Sequence, residues 1–223
     1  MRLPSLPSVP PRMLLLALLV AGALLLLSTG YYQVEPDEVA VVQRMGKYVR
    51  TTDPGPHIKI PFGVERVTKV PVKRQLKMEF GFRTLQSGGA QTTFAPPSPE
   101  TLGESLMLTG DLNVGVVEWI VQYRIKDPRA FLFNVRDVPE TFRYMSEAAM
   151  RQVVGDHSVD EVLTIGREAI ALLAKAELQR LCDMYGIGIE VQQLVLQDVN
   201  PPDPVKPAFN EVNQAIQEKE NDG

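Results

Sequence analysis

An uncharged run near the N-terminus constrains this chain more than any other feature. Met13 to Val34 contains no charged residue, and its first part is almost entirely Leu, Val and Ala. As a helix rising about 1.5 Å per residue, the run would reach about 33 Å, enough to cross a hydrocarbon core of about 30 Å. Only a helix can cross there, because lipid offers backbone groups no hydrogen-bond partners. The sequence therefore predicts one transmembrane helix over residues 13–32. The residues assigned to this anchor are Met13, Leu14, Leu27, Tyr31 and Tyr32.

A cleaved secretory signal peptide is the alternative interpretation of this run. Arg2 and Arg12 would form its basic region, and Ser28 and Gly30 are small enough for a cleavage site. The apolar stretch is at the upper edge of the roughly 7–15 residues usual in such peptides and continues through neutral residues, which favours a retained anchor. Because the basic residues precede the run and acidic residues follow it, residues 1–12 are predicted to be cytoplasmic. In a bacterium the remaining chain would then be periplasmic, on a single-pass protein of the inner membrane.

Composition excludes some classes of function. The formal net charge is −4 and the sequence pI is about 5.3, whereas a nucleic-acid surface needs a basic patch or stripe. The single cysteine, Cys182, excludes an internal disulfide and lies in a helical pattern, which favours a small buried hydrophobic residue over a reactive thiol.

The hydrophobic pattern after the anchor predicts an α+β fold. Alternating apolar residues indicate strands at 38–44, 64–70 and 117–125, and helical spacing follows the capping residues Asp127 and Asp137. We expect a bulge near Gly115 and a second phase change at 192–193. The predicted organisation is a strand-rich, membrane-proximal subdomain (33–110), an α+β subdomain (111–200) and the start of a C-terminal helix (201–223).

No motif for catalysis or metal binding is found. His57 and His157 lie far apart in the chain, and neither belongs to a metal-ligand pair. The sequence also lacks a nucleophile elbow, a phosphate-binding loop and a C-x-x-C motif. We therefore predict no catalytic residue, no metal and no cofactor, although a hydrolase with an unrecognised site stays open as an alternative.

Several ordered segments resemble the stomatin/prohibitin/flotillin (SPFH, or band 7) superfamily, and within it the bacterial HflK family. The first resembles the family's opening strand, and the second its proline-glycine loop ending in Pro-Phe. Others are similar to the segment that joins the two subdomains, to the helices that follow, and to the exit from the last strand. These segments are 38–47, 53–62, 108–111, 119–133, 150–156, 158–167, 197–202 and 205–209.

This resemblance implies a non-catalytic function. Members of this kind look like scaffold subunits that assemble with an HflC-like sister subunit and enclose an FtsH-type AAA+ protease of the bacterial membrane. The assembly would limit which membrane substrates reach the protease, and it would also contact membrane lipids. A stomatin-like organiser of lipid domains, without a protease partner, is the alternative.

The resemblance and the pattern also suggest a membrane-proximal loop. Its expected apolar residues are Ile58, Ile60, Phe62, Phe80 and Phe82, and burial in a core is the alternative for each. Two features depart from the family. Leu112 replaces an acidic residue, and the chain ends at Gly223, where relatives continue into a long helix rich in Ala, Glu and Arg. We expect this to impair closure of a cage by this chain.

Overall fold

The structure is a computed structural model that describes residues 11–86, 93–163, 166–202 and 206. Contacts divide the chain into two units, Met1–Val72 and Lys73–Gly223. The predicted C-terminal helix lies almost entirely outside the described residues.

The first unit combines one helix with short antiparallel strands. Its elements are α1 (Pro11–Gly30), β1 (Tyr31–Val34), β2 (Glu38–Arg44), β3 (Lys47–Thr52), β4 (Gly55–Ile58) and β5 (Glu65–Pro71). Strand β2 is central in the sheet β3-β2-β5, and β1 pairs separately with β4. The buried side chains of this unit are small and mostly β-branched, as expected of a small sheet. Its buried apolar residues are Val34, Ala40, Val41, Val42 and Val70.

The predicted transmembrane helix over 13–32 is corrected by the structure. Helix α1 ends at Gly30, and Tyr31 and Tyr32 begin strand β1, which pairs with β4. Among the described residues, no helix has both the length and the apolar character that a membrane crossing requires. Met13 is exposed on α1, while the side chains of Leu14 and Leu27 lie outside the description.

The second unit is an antiparallel sheet covered by helices. The elements are β6 (Leu76–Phe80), β7 (Thr84–Gln86), β8 (Thr93–Phe94), α2 (Pro99–Ser105), β9 (Leu106–Leu108), β10 (Val114–Ile125), α3 (Pro128–Phe133), α4 (Val138–Gly155), α5 (Val159–Leu163), α6 (Arg167–Tyr185) and β11 (Ile189–Asn200). The sheet has the order β11-β10-β6, and β9 also pairs with β10. The short strands β7 and β8, which lie between β6 and β9 in the chain, pair with each other.

Strand β10 organises the core of the second unit. Its odd-numbered residues from Gly115 to Ile125 are buried, and Trp119 packs against Phe80 of β6 and donates a hydrogen bond from Nε1 to Ser146 Oγ of α4 at 3.2 Å. Helix α6 contributes a buried stripe at helical spacing, which places it on the same core. The stripe consists of Ile170, Ala174, Leu178 and Cys182.

Local sequence signals account for several ends and irregularities. Asp127 caps α3 by accepting hydrogen bonds from two backbone N–H groups, and Gly186 ends α6 in the left-handed conformation. The predicted phase change at 192–193 is confirmed by a register shift between β10 and β11. The bulge expected near Gly115 is wrong, since the alternation of β10 runs unbroken through that residue and the register shifts lie further along the strand.

Candidate functional site: an apolar tip on a buried glutamate

A group of large apolar side chains is exposed at one end of the first unit. The exposed fractions are 69% for Ile58, 43% for Ile60, 77% for Phe62 and 81% for Met45. The first three lie on the segment from β4 to β5, and Met45 lies in the turn between β2 and β3. Met45 donates its backbone N–H to Val64 O at 3.2 Å, which brings the two turns together. We call these four residues the apolar tip.

Backbone conformation at the two turns is unusual. Phe62 has φ 62° and Met45 has φ 48°, and each is followed by a glycine with positive φ. Bulky residues rarely occupy this region, because their Cβ crowds the backbone. Each turn therefore carries a large apolar side chain at a position where glycine or asparagine would cost less, and such strain is concentrated at functional sites.

A buried carboxylate holds the tip in place. Glu65 is 3% exposed and accepts a bidentate pair of hydrogen bonds from Arg50, each 3.1 Å, and another from Arg44 at 2.9 Å. Its Oε2 also accepts the backbone N–H of Ile60 at 3.0 Å. Arg50 in turn donates to Ile58 O at 3.3 Å. The two strand-borne arginines and one glutamate thus fix the backbone on both sides of the loop residue Lys59.

These contacts keep Glu65 ionised. The hydrogen bonds from Arg50 and from the Ile60 N–H lower the pKa of Glu65 to about 2, against the opposing effect of burial. The guanidinium of Arg50 has its pKa raised, mainly by its hydrogen bond to Glu65. Glu65 is therefore ionised and paired with both arginines at neutral pH.

The surroundings of the tip are positively charged. Together, Arg44 and Arg50 carry one positive charge more than Glu65 neutralises. Lys47 is exposed and lies opposite Arg44 in the β2–β3 strand register. Lys59 lies between two tip residues in the chain. Apolar side chains flanked by basic ones are the combination that favours an anionic membrane surface.

The remaining residues expected in the membrane-proximal loop lie elsewhere. Phe80 is fully buried in the second unit, stacked on Trp119, which is the core-packing alternative. Phe82 is also in the second unit, where its ring contacts Phe94 edge-on with centroids 5.8 Å apart. Tyr31 is exposed, whereas Tyr32 is half-buried and shares a hydrogen bond with Thr52.

Each histidine has one ring nitrogen beside a backbone carbonyl. His57 Nε2 lies 2.7 Å from Asp53 O, and His157 Nδ1 lies 2.7 Å from Val153 O, so each ring is held by a backbone carbonyl. Within the described ranges, no group of three or more His, Cys, Asp or Glu residues could hold a metal ion.

Sequence comparison now assigns the fold. The model of the SPFH domain / Band 7 family matches residues 32–222, which include both units except for residues 1–31 and Gly223. The chain belongs to the SPFH domain / Band 7 family. The match covers the apolar tip, Glu65 and both of its arginine partners.

Curated relatives carry the name HflK. The chain is 45% identical to Protein HflK of Treponema pallidum over 187 residues, 83% of this chain and 56% of that protein. It is 37% identical to Protein HflK of Borreliella burgdorferi over 187 residues, 83% of this chain and 58% of that protein. A third relative, the Modulator of FtsH protease HflK of Escherichia coli, is 31% identical over 195 residues, 87% of this chain and 40% of that protein. The chain thus spans about half the length of these relatives.

Neither Met45 of the apolar tip nor the buried Glu65 that supports it is among the residues predicted from the sequence of this SPFH chain. Gly46 marks a short turn after the strand at 38–44, so the sequence contains a signal that Met45 lies in an exposed turn. Glu65 lies beside Arg66 in an alternating strand, a pattern that suggests a solvent-facing acid. Only the pairing of β5 with β2 brings Glu65 opposite Arg44.

Proposed function

We propose that this SPFH chain is a non-catalytic scaffold that rests on a bacterial membrane through its apolar tip and modulates an FtsH-type AAA+ protease. The observation that carries the membrane contact is the exposure of Ile58, Ile60 and Phe62 on a loop clamped by the buried Glu65. Large apolar side chains that are exposed together on a protein surface usually mark a site that contacts a partner or a membrane.

Lipid is the partner that fits the tip best. Transfer of a large apolar side chain from water into an apolar environment is worth about 1.5–3 kcal/mol when complete, so several together support reversible binding to an interface. Lys47 and Lys59 would add attraction to anionic headgroups, about 1 kcal/mol for each basic residue at the surface. We therefore propose an anionic phospholipid surface as the ligand of the tip.

The protease partner rests on the relatives. One of them is named as a modulator of the FtsH protease, and this chain shares the SPFH region with it. We propose that this chain assembles with an HflC-like sister subunit and acts sterically, by limiting which membrane substrates reach the protease. No catalytic residue in this chain is needed for that function.

A single-site fluorescent probe tests the membrane contact. In the full chain, a Phe62→Cys variant is labelled with an environment-sensitive dye and mixed with vesicles of phosphatidylglycerol and phosphatidylethanolamine. The matched control is Val49→Cys, an exposed apolar position of the same unit outside the tip. We expect a blue shift at position 62 only, and a weaker one with neutral phosphatidylcholine. Equal responses at both positions, or none at 62, would contradict the contact.

Co-purification tests the protease partner separately. The tagged chain is extracted from native membranes in mild detergent, and bound proteins are identified by mass spectrometry for the wild type, an Ile60→Asp/Phe62→Asp variant and a Val49→Asp control. We expect an FtsH-type protease and an HflC-like protein with the wild type and the control, and less of both with the tip variant. Lipid contact at residue 62 without any protease would favour the lipid-domain organiser instead.

A further inference from the structure

Strand β11 forms one edge of the sheet in the second unit, and a groove of about 430 Å³ runs beside it. One wall is the outer face of α6, with Arg167, Ala171, Leu172 and Lys175, and the other is the stretch 192–196 of β11. Both walls belong to the same unit. We call this feature the edge groove.

Side chains of α6 already occupy both ends of this strand edge. Near its start, Gln179 accepts the backbone N–H of Val191 at 2.8 Å and donates to Ile189 O at 3.4 Å. Near its end, Arg167 donates to Val199 O at 3.4 Å. Between these points, no hydrogen bond from a described side chain reaches the backbone of residues 192–196. The helix thus leaves open only the part of the strand edge that faces the groove.

An open strand edge with an apolar wall suits an extended chain. Backbone groups at a sheet edge are ready to pair with an added strand, and alternate side chains of that strand then rest on the neighbouring surface. Leu172 supplies such a surface, since 67% of it is exposed beside the groove. A helical ligand would leave the edge backbone unpaired, so extended peptide is favoured.

The charge of the groove specifies the ligand further. Arg167 and Lys175 outnumber Glu168 among the lining residues, so the lining itself carries one excess positive charge. Carboxylates on an incoming strand would be attracted to these two cations. A second copy of this chain paired edge to edge fits less well, because two equally positive rims would face each other.

We propose that the edge groove binds an extended acidic segment of a partner protein, which adds to the sheet as a strand beside residues 192–196. This proposal does not depend on the membrane contact of the apolar tip, which lies in the other unit. It gives the second unit a way to hold a partner without a deep pocket.

Hydrogen exchange with a defined peptide tests the proposal. The probe is a short peptide that alternates valine with glutamate, and the comparison peptide has lysine in place of every glutamate. We expect the acidic peptide to slow amide exchange within residues 192–196 of the full chain, and added salt to weaken the effect. The lysine peptide should give at least tenfold weaker protection.

Paired variants of α6 locate the binding. Leu172→Asp should weaken binding of the acidic peptide roughly tenfold or more, since it removes the apolar wall and adds a like charge. Leu173→Asp is the matched control, because Leu173 is 49% exposed on the same helix but does not line the groove. Lys175→Glu should reverse the preference between the two peptides. Equal binding of both peptides, equal effects of the two leucine variants, or no protection of 192–196 at millimolar peptide would overturn the proposal.

Discussion

The ring of Phe80 lies parallel to the indole of Trp119, with centroids 4.6 Å apart and planes 2° from parallel. The guanidinium of Arg143 also lies over the Phe80 ring, with Cζ 5.1 Å from the centre of that ring. Strand β6 is thereby fixed to β10 at the residue pair Trp119–Phe80 of the register. This contact holds β6 against the central strand of the sheet in the second unit.

Truncation of Phe80 should destabilise the second unit strongly. Phe80→Ala removes a fully buried ring and leaves a cavity against Trp119, which costs about 3–5 kcal/mol for a buried phenylalanine. Trp119 is the only tryptophan of the chain, so its fluorescence reports the unfolding of this unit in denaturant. Phe94→Ala is the control, because Phe94 is exposed, and we expect it to change the free energy of unfolding by less than about 1 kcal/mol. A loss below that value for Phe80→Ala would show that the stack contributes little.

Local patterns in the sequence predicted those parts of the fold that depend on near neighbours. The alternation of β10, the cap at Asp127 and the phase change at 192–193 each follow from a few adjacent residues, and the structure confirms them. The transmembrane helix was predicted from apolar length alone and is wrong, since Tyr31 and Tyr32 pair in a strand instead.

Distant pairing explains what the sequence did not reveal. Phe80 follows a short alternating segment, and nothing local shows that Trp119 lies beside it until β6 and β10 are paired. The apolar tip likewise depends on residues that are distant in the sequence. Ile58, Ile60 and Phe62 stood out in the sequence, but the carboxylate that holds them is Glu65, whose partners come from β2 and β3. Charged residues that become buried across strands look like surface residues in a single sequence.

Cys182 should be unreactive in the folded chain. Burial, chiefly, raises the pKa of its thiol to about 12, so almost no thiolate is present near neutral pH. We expect alkylation by iodoacetamide at pH 8 to be slow until denaturant unfolds the second unit, and then to proceed at the rate of an ordinary thiol. A Phe62→Cys variant provides an exposed thiol in the same chain for comparison. Equal alkylation rates for the two thiols in the native protein would contradict the buried position of Cys182.

Replacing Glu65 should release the apolar tip without unfolding the second unit. In Glu65→Gln, an amide faces Arg50 and Arg44, so the charge-assisted hydrogen bonds are lost and the Ile60 N–H has a weaker acceptor. We expect a loss of about 1–3 kcal/mol in the stability of the first unit. Hydrogen exchange of the β2 and Ile60 amides measures it, and unchanged Trp119 fluorescence shows that the second unit is intact.

An exposed acid of the same unit serves as the control for that variant. Asp53→Asn changes the charge by the same amount on the surface, and we expect it to alter β2 exchange by less than about 0.5 kcal/mol. If Glu65→Gln exchanged no faster than Asp53→Asn, the ion pairs of Glu65 would not be holding the loop.

Acid should remove the contribution of Glu65 within a defined range of pH. The pKa of this carboxyl is lowered from 4.5 to about 2 in the folded chain, so between these values the unfolded state binds more protons than the folded one. Stability from this group is therefore fully present above about pH 4.5, falls as the pH drops toward 2, and is absent below it. The difference in β2 amide exchange between wild type and Glu65→Gln isolates this group, because the other acids of the chain are common to both proteins. We expect that difference to be constant from pH 7 to about pH 5 and to shrink toward zero near pH 2. A difference that persisted undiminished at pH 2 would mean that the substituted amide destabilises the loop by its shape rather than by its missing charge.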